Sequence, residues 1–283
     1  MSKFIMSTSN IPGMIEWLTR VSNNNGYNTI NVSKGYDHME LVREISKSIQ
    51  EGQDTAVIGI VLLSQKKRMA ILRDVRKRCG DGHKYMCRIE IGDVHFQQGN
   101  PYPTLKPEML DILKTFSTPQ YYEGWDDIII DYPCHLTHSF TPSYFKTFPQ
   151  DNSHHSLTLG EHCWATHQYI LDKYINKELR HLDHDIVYNL LVAAKYHDIG
   201  KVLCKFFKEG DPNAKFYGHQ NVGAYLVMID GNIPEDIRPE VSDLVHHHMA
   251  LRNPSEAKKI ARRVGPEKYS LLELLREADV AAR

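Results

Sequence analysis

Residues 185–200 read DIVYNLLVAAKYHDIG, and this stretch decides the fold of the C-terminal half of the chain. Its apolar residues recur at the i, i+3, i+4 spacing of an amphipathic helix, so Ala194 and His197 share the face that packs on a core. The pattern predicts a helix that runs to about Ile199 and is stopped by Gly200.

Two side chains of metal-ligand type stand next to each other at the end of this helix. His197 and Asp198 offer one nitrogen and one oxygen from a single turn, a donor pair that suits a transition-metal ion. Lys201 follows closely, where its ammonium group can meet an anionic substrate or protonate a leaving oxygen.

Flanking helices supply further candidate ligands. Thr158 begins a capping box that predicts a helix to about Ile175, with His162 in its first turns. The last helix opens at Pro266 and carries Asp279 on a stripe of leucine and alanine. A buried carboxylate is costly unless it is paired or bound to a metal. The alternative is an aspartate at the helix end that faces solvent.

The histidines are concentrated in the same half, since 11 of the 16 lie within residues 154–248. The sequence strings that contain the candidate ligands are GEHCWATH, AAKYHDIGK, FYGHQNVGAYL, LVHHHM and READVAAR. Their order resembles the HD superfamily of metal-dependent phosphohydrolases. The strings are especially similar to the HD domain attached to some tRNA nucleotidyltransferases and to related RNA-end phosphatases, and the resemblance covers about residues 154–283.

The resemblance implies a set of ligands and a chemistry. The primary metal ligands would be His162, His197, Asp198 and Asp279. A second ion would be held by His219 and by His247 with His248, although the register within the histidine triplet is ambiguous, and Asp198 would bridge the two ions. The implied catalytic residues are Asp198, Lys201 and His219. Mixed His and Asp ligands favour Mn²⁺, Ni²⁺, Co²⁺, Fe²⁺ or Zn²⁺ over an all-oxygen Mg²⁺ site.

The first 135 residues alternate strand-like and helix-like stretches, which predicts a parallel α/β sheet. The run TAVIGIVLL, residues 55–63, is typical of a strand that is buried on both faces. Shorter strands are expected near Lys3–Met6, Tyr85–Ile91 and Trp125–Asp131. Helices are expected over Pro12–Val21, Leu41–Gln50 and Lys66–Arg78. The predicted division is a domain at 1–135, a linker at 136–156 and an all-α HD domain at 157–283.

This first domain is similar to a P-loop polynucleotide-kinase-like domain, but the phosphate-binding loop is missing. The motif G-x-x-x-x-G-K-[ST] should follow the first strand, whereas the chain reads STSNIPGM at residues 7–14. Gly59 also stands where an acidic residue is usual in such kinases. We therefore expect a degenerate kinase fold without phosphoryl transfer, retained for substrate or partner binding.

The helix at 66–78 carries the clearest basic cluster in this domain. Its members are Lys66, Lys67, Arg68, Arg73, Arg76, Lys77 and Arg78. On one helix face they could line a groove for an RNA backbone. The alternative is an ordinary solvated helix face.

Overall composition limits the classes of function. The 34 basic and 35 acidic residues give a net charge of −1, so no global basic field indicates nucleic-acid binding. The five cysteines form no C-x-x-C pair, which argues against a disulfide framework. No apolar run approaches the ~18 residues that cross a membrane, and the N-terminus lacks a signal-peptide pattern. We expect a cytoplasmic protein without a membrane partner.

Together these features predict an HD-type metal-dependent phosphohydrolase, a phosphatase or phosphodiesterase with two divalent ions. The expected substrate is a phosphorylated RNA end that carries a 2′,3′-cyclic, 2′- or 3′-phosphate. One alternative is a nucleotidase or dNTP-type hydrolase that acts on small nucleotides. Another is a non-catalytic RNA-binding or regulatory protein with a structural metal.

Overall fold

The computed structural model describes residues 2–11, 13–92, 94, 96, 102, 104–132, 145–153 and 156–283. The chain divides into two compact units, the first formed by Met1–Val94 with Thr118–His135 and the second by His95–Ser117 with Leu136–Arg283. Residues 95–117 thus belong to the second unit, whereas the sequence prediction includes them in the first domain. Most of the predicted linker at 136–156 lies outside the described residues, as does Pro12 at the predicted start of the first helix.

The first unit contains a five-stranded sheet in which every described pair of neighbouring strands is parallel. The strand order is β2-β3-β1-β4-β5. The strands are β1 (Lys3–Ser9), β2 (Asn28–Asn31), β3 (Thr55–Ile58), β4 (Lys84–Glu90) and β5 (Asp127–Asp131). Three helices alternate with them: α1 (Met14–Asn24), α2 (His38–Gln50) and α3 (Gln65–Cys79). The predicted parallel α/β class of this half is confirmed.

Two details of the sheet differ from the sequence prediction. The apolar run at 55–63 is not one strand, because β3 ends at Ile58 and Ile60–Leu63 forms a 3-10 helix. Leu62 and Leu63 are fully buried in this 3-10 helix, as they would be expected to be in a buried strand, so continuous apolarity could not reveal the break. Strand β2 was not predicted, because only Ile30 of its four residues is buried and the rest read as polar.

The second unit is rich in helices. They are α4 (Pro107–Leu113), α5 (Leu159–Ile175), α6 (His184–Tyr196), α7 (Lys201–Cys204), α8 (His219–Ile229), α9 (Arg238–His247), α10 (Pro254–Val264) and α11 (Pro266–Ala281). Helix α5 packs on α6 and α11, and α9 packs on α6 and α8. The predicted helices at 158–175 and from Pro266 are confirmed. None of the helices among the described residues is both long and apolar enough to cross a bilayer.

Candidate metal centre

His162 is held in the first turn of α5 by the predicted capping box. Thr158 Oγ1 accepts a hydrogen bond from the Glu161 amide at 3.4 Å, and Glu161 Oε2 accepts one from the Thr158 amide at 3.0 Å. These bonds satisfy two of the free amides at the helix start and fix its first turn. The imidazole of His162 is fully buried, and its Nδ1 lies 3.2 Å from the carbonyl oxygen of Ala282.

The His197-Asp198 pair follows the end of α6. The helix ends at Tyr196, three residues before the predicted end, and the chain continues in turns to Gly200. Gly200 is in the right-handed region (φ −63°), so it is not a left-handed helix stop. The lack of a side chain at Gly200 lets the backbone pack closely against His219, because a Cβ there would lie 2.1 Å from the backbone oxygen of His219. The loop that carries the pair therefore packs directly on the start of α8.

Three further side chains reach the same place from other elements. His219 opens α8, His248 follows the end of α9, and Asp279 lies near the end of α11. All three are at most 6% exposed. Asp279 is therefore buried with the apolar stripe of α11, as expected for a carboxylate that is paired or bound to a metal. The alternative, an aspartate that faces solvent, is wrong.

The two carboxylate oxygens of Asp198 point to two different groups of ligands. Oδ2 lies 3.3 Å from His162 Nε2 and 3.4 Å from His197 Nε2, and Asp279 Oδ1 lies 3.2 Å from His162 Nε2. Oδ1 lies 3.1 Å from His219 Nε2 and 3.5 Å from His248 Nε2. The donor atoms within each group are all within 4.8 Å of one another, which is compatible with a shared metal ion. Asp198 is the only residue common to both groups.

The hydrogen bonds of the imidazoles fix which nitrogen faces the centre. Nδ1 lies near a backbone carbonyl in each of the four histidines: 3.2 Å in His162, 2.9 Å in His197, 2.8 Å in His219 and 2.7 Å in His248. A carbonyl can only accept, so Nδ1 carries a proton in each ring and Nε2 is the nitrogen that can give a lone pair to a cation. The four Nε2 atoms and the oxygens of the two carboxylates thus face one another as the ligand atoms available to a cation.

Such a cluster requires positive charge to hold it together. Both oxygens of Asp198 and Oδ1 of Asp279 are buried, and Lys201, with its Nζ 2.5 Å from Asp198 Oδ2, supplies one positive charge beside these two carboxylates. Burial lowers the pKa values of His197 and His248, so protonation of these two rings does not supply the positive charge. Burial also acts to lower the pKa of His162, but contacts with both carboxylates raise it to about 9. The donor set fits one or two divalent cations of borderline softness.

The carboxylates themselves are held ionised. Burial acts to raise the pKa of Asp198, but the charge of Lys201 and the neighbouring imidazoles hold it well below its ordinary value. Burial likewise acts to raise the pKa of Asp279, and contacts with His162 and His197 outweigh it, so that this pKa is also strongly lowered. Arg252 Nη2 lies 2.7 Å from Asp279 Oδ2, which orients the carboxylate that faces the cluster.

Lys201 is buried at the edge of the cluster. Its Nζ lies 2.5 Å from Asp198 Oδ2 and donates a hydrogen bond to Gln150 Oε1 at 2.7 Å. Lys201 and His219 also form part of the wall of a cavity of about 590 Å³. The cationic side chains of this wall are Lys201, Lys215, Arg252, Arg276 and Arg283. Four of these cations pair with an aspartate beside the wall: Lys201 with Asp198, Lys215 with Asp211, and Arg252 and Arg283 with Asp279. Five cations against three aspartates leave a net positive charge at the wall, which suits an anion.

The structure resolves the ambiguous histidine triplet. His248 reaches Asp198, whereas the Nε2 of His247 lies 3.5 Å from Asp243 Oδ1, away from both ligand groups. Burial, together with Arg263 and Lys268, lowers the pKa of His247 to about 3. His247 is thus a buried structural histidine rather than part of the cluster, because successive residues near a helix end point about 100° apart. Gln150 and Arg252, which position Lys201 and Asp279, carried no recognisable sequence signal.

The first unit is closed where a phosphate loop would follow β1. Asn10 Nδ2 donates to the Gly92 carbonyl at 3.2 Å, and the Gly92 amide donates to Asn10 Oδ1 at 2.9 Å. A Cβ at Gly92 would lie 1.7 Å from the side chain of Ile11. The chain's own residues therefore fill the carboxyl end of β1, the edge at which open α/β sheets usually bind ligands.

The prediction that Arg68 belongs to a basic groove on α3 is wrong. Arg68 is fully buried, and its Nη2 pairs with Glu123 Oε1 at 2.7 Å. Arg76 is half-buried and pairs with Asp81 and Asp126. The side chains of α3 left on the surface are Lys66, Lys67, Arg73, Lys77 and Arg78. A helix can bury a cation when an acidic side chain elsewhere in the fold pairs with it, and counting charges along the sequence does not reveal such a pair.

Comparison of the chain with protein-family models and with curated proteins gave no match. The resemblance to the HD superfamily therefore stays a prediction from the motifs.

Proposed function

We propose that the second unit is a metal-dependent phosphohydrolase and that its substrate is a phosphoester at the end of an RNA strand. The observation that carries the proposal is the shared carboxylate, in which each oxygen of Asp198 faces a separate group of buried ligands. A pair of divalent ions so held would activate a water molecule and neutralise phosphoryl oxygens. The HD resemblance supports the same reaction, and the RNA-end substrate rests on that resemblance.

The residues of the chain divide the remaining tasks. His162, His197 and Asp279 with Asp198 would hold one ion, and His219 and His248 with the other oxygen of Asp198 would hold the second. A phosphate seated in the neighbouring cavity would meet cationic side chains at its wall. These fix the anion in place and disperse its charge, which lowers its repulsion of an incoming nucleophile.

Lys201 has a position that fits a proton donor. Its ammonium is held between Asp198 and Gln150 and forms part of the cavity wall. When water attacks phosphorus and the ester P–O bond breaks, the leaving oxygen needs a proton, and the ammonium can supply it. The first unit would have no part in this chemistry, because the carboxyl end of β1 is filled by Asn10 and Ile11.

The test is phosphate release by the full chain after chelation and reloading with Mn²⁺, Ni²⁺, Co²⁺, Fe²⁺, Zn²⁺ or Mg²⁺. We expect metal-dependent turnover that falls by at least about a hundredfold in His197→Ala and Asp198→Ala, together with metal content. His184→Ala, which removes an exposed histidine, is the matched control. Equal turnover in the wild type and Asp198→Ala would refute the proposal.

The choice of substrate distinguishes the alternatives. Faster turnover of oligonucleotides that end in a 3′-phosphate, 2′-phosphate or 2′,3′-cyclic phosphate supports action on RNA ends. Faster turnover of free nucleotides supports the nucleotidase alternative. Salt-dependent RNA binding without turnover under any of the metals supports a non-catalytic protein.

A further inference from the structure

The segment 205–217, here called the aromatic hairpin, links α7 to α8 beside the candidate metal centre. Its two arms are joined by paired hydrogen bonds between Phe206 and Lys215, from the Phe206 amide at 3.0 Å and from the Lys215 amide at 2.8 Å. Lys205 Nζ pairs with Asp151 Oδ2 at 2.5 Å, and the Ala214 amide donates to the Asp151 carbonyl at 2.7 Å. The hairpin is therefore anchored at both arms.

Three large aromatic side chains are exposed on this anchored segment. Phe206 is 39% exposed, Phe207 52% and Tyr217 59%. The rings of Phe206 and Tyr217 are neighbours, with centroids 5.5 Å apart. A cluster of exposed aromatic rings on a fixed support is costly to leave in water and marks a binding surface.

Cations alternate with these rings. Lys208 Nζ lies 5.6 Å from the centroid of the Tyr217 ring, and Lys205 Nζ lies 5.7 Å from that of Phe207. Tyr217 and Lys215 also line the cavity whose wall includes His219, one of the cluster residues. Tyr217 of the aromatic hairpin and His219 of the candidate metal centre therefore line the same cavity. A ligand that carries flat rings joined by anionic groups matches this alternation of aromatic rings and cations.

We propose that the aromatic hairpin is a base-stacking subsite for single-stranded nucleic acid. A base would lie against Tyr217, the next against the phenylalanine rings, and the phosphates between them would face the lysines and the cationic cavity wall. Stacking on aromatic side chains together with a basic track is how proteins hold single strands without reading their sequence. The inference rests on the proposed function, because the strand held here is the one whose terminal phosphoester would enter the cavity.

Binding can be measured without turnover. The probe is a single-stranded RNA of about eight nucleotides with a 5′ fluorophore, titrated with the full chain in the presence of a chelator and followed by anisotropy. We expect Tyr217→Ala to weaken the affinity about tenfold, the loss of one stacked base. Tyr217→Phe keeps the ring and should restore the affinity. Tyr188→Ala removes a tyrosine of α6 that is 44% exposed and does not line the cavity, and should leave binding unchanged.

An abasic strand of the same length and charge tests the role of the bases. We expect it to bind about tenfold more weakly than the RNA and to be insensitive to Tyr217→Ala. Equal affinity for the two strands, or an unchanged affinity in a folded Tyr217→Ala, would overturn the subsite. Such a result would leave metal-dependent phosphate release standing. Conversely, a protein that turns over no phosphoester but loses RNA affinity in Tyr217→Ala would retain the subsite and lose the proposed hydrolase.

Discussion

Replacing Asp198 by asparagine tests the central feature of the candidate centre, the carboxylate shared by two groups of ligands. We expect the wild type to bind two equivalents of Mn²⁺, Asp279→Asn to bind about one, and Asp198→Asn to bind close to none. The reason is geometric, because Asp279 belongs to one group whereas Asp198 belongs to both. An amide is also a much weaker ligand than a carboxylate for a divalent ion.

The effect on stability can be estimated from the size of the unit. A metal present at a thousand times its Kd stabilises the folded state by about 4 kcal/mol. The second unit has about 170 residues, for which 1 kcal/mol moves Tm by about 2–4 °C. Each bound Mn²⁺ should therefore raise the Tm of the wild type by about 8–16 °C. Added Mn²⁺ should raise that of Asp198→Asn by less than about 2 °C.

The assay is thermal unfolding with and without Mn²⁺, followed by metal analysis of the desalted protein. Asp230→Asn is the matched control, because Asp230 is also fully buried but bonds to Tyr196 and Asn232 outside the cluster. Asp230→Asn should be less stable than the wild type by the same amount with and without Mn²⁺. Retention of two equivalents, or of the full Mn²⁺-induced shift in Tm, by Asp198→Asn would refute the bridging arrangement.

Three further predictions concern other contacts. Gly200→Ala would push a methyl group to within 2.1 Å of the backbone oxygen of His219, so metal content should fall from two equivalents to about one, and two retained equivalents would contradict the close-approach argument. Arg68→Met leaves the buried Glu123 without its cationic partner and should cost about 3–5 kcal/mol in urea unfolding. The double variant Arg68→Met with Glu123→Leu should recover most of this loss, and a loss below about 1 kcal/mol in Arg68→Met would contradict the argument. Burial raises the pKa of Tyr85 to about 12, above the value of about 10 in an unfolded chain. The contribution of the neutral Tyr85 phenol to stability is therefore complete below pH 10 and is lost as the pH rises from about 10 to 12. In that window the urea midpoint of the wild type should fall more steeply with pH than that of Tyr85→Phe, and equal slopes would contradict the assignment.

The sequence predicted the ligands whose signals are local. His162 follows a capping box, His197 and Asp198 end an apolar helix, and Asp279 interrupts an apolar stripe. Each of these patterns is read from fewer than 20 residues, and the structure brings all four residues together. The same locality explains the helix bounds near 158–175 and from Pro266, where caps and proline mark the starts.

Other features depend on contacts between distant parts of the chain. The selection of His248 over its neighbour is decided by the end of α9 and by Asp198, which lies 50 residues earlier. The burial of Arg68 is decided by Glu123, 55 residues later. The close approach at Gly200 is set by the position of α8, although its sequence context reads as a simple helix stop. No local pattern carries this information, because side-chain partners across a fold leave no spacing rule.

The order of the ligands along the chain connects metal binding with substrate binding. Asp198 and His219 would hold the same ion, and the chain between them consists mainly of α7 and the aromatic hairpin. An ion held by both ends of this segment would limit its conformational freedom, much as a cross-link limits a loop of about 20 residues. The orientation of Tyr217, two residues before His219, would then depend on whether the second ion is bound. A centre of this kind would complete the reactive site and fix the base-stacking surface through the same bonds.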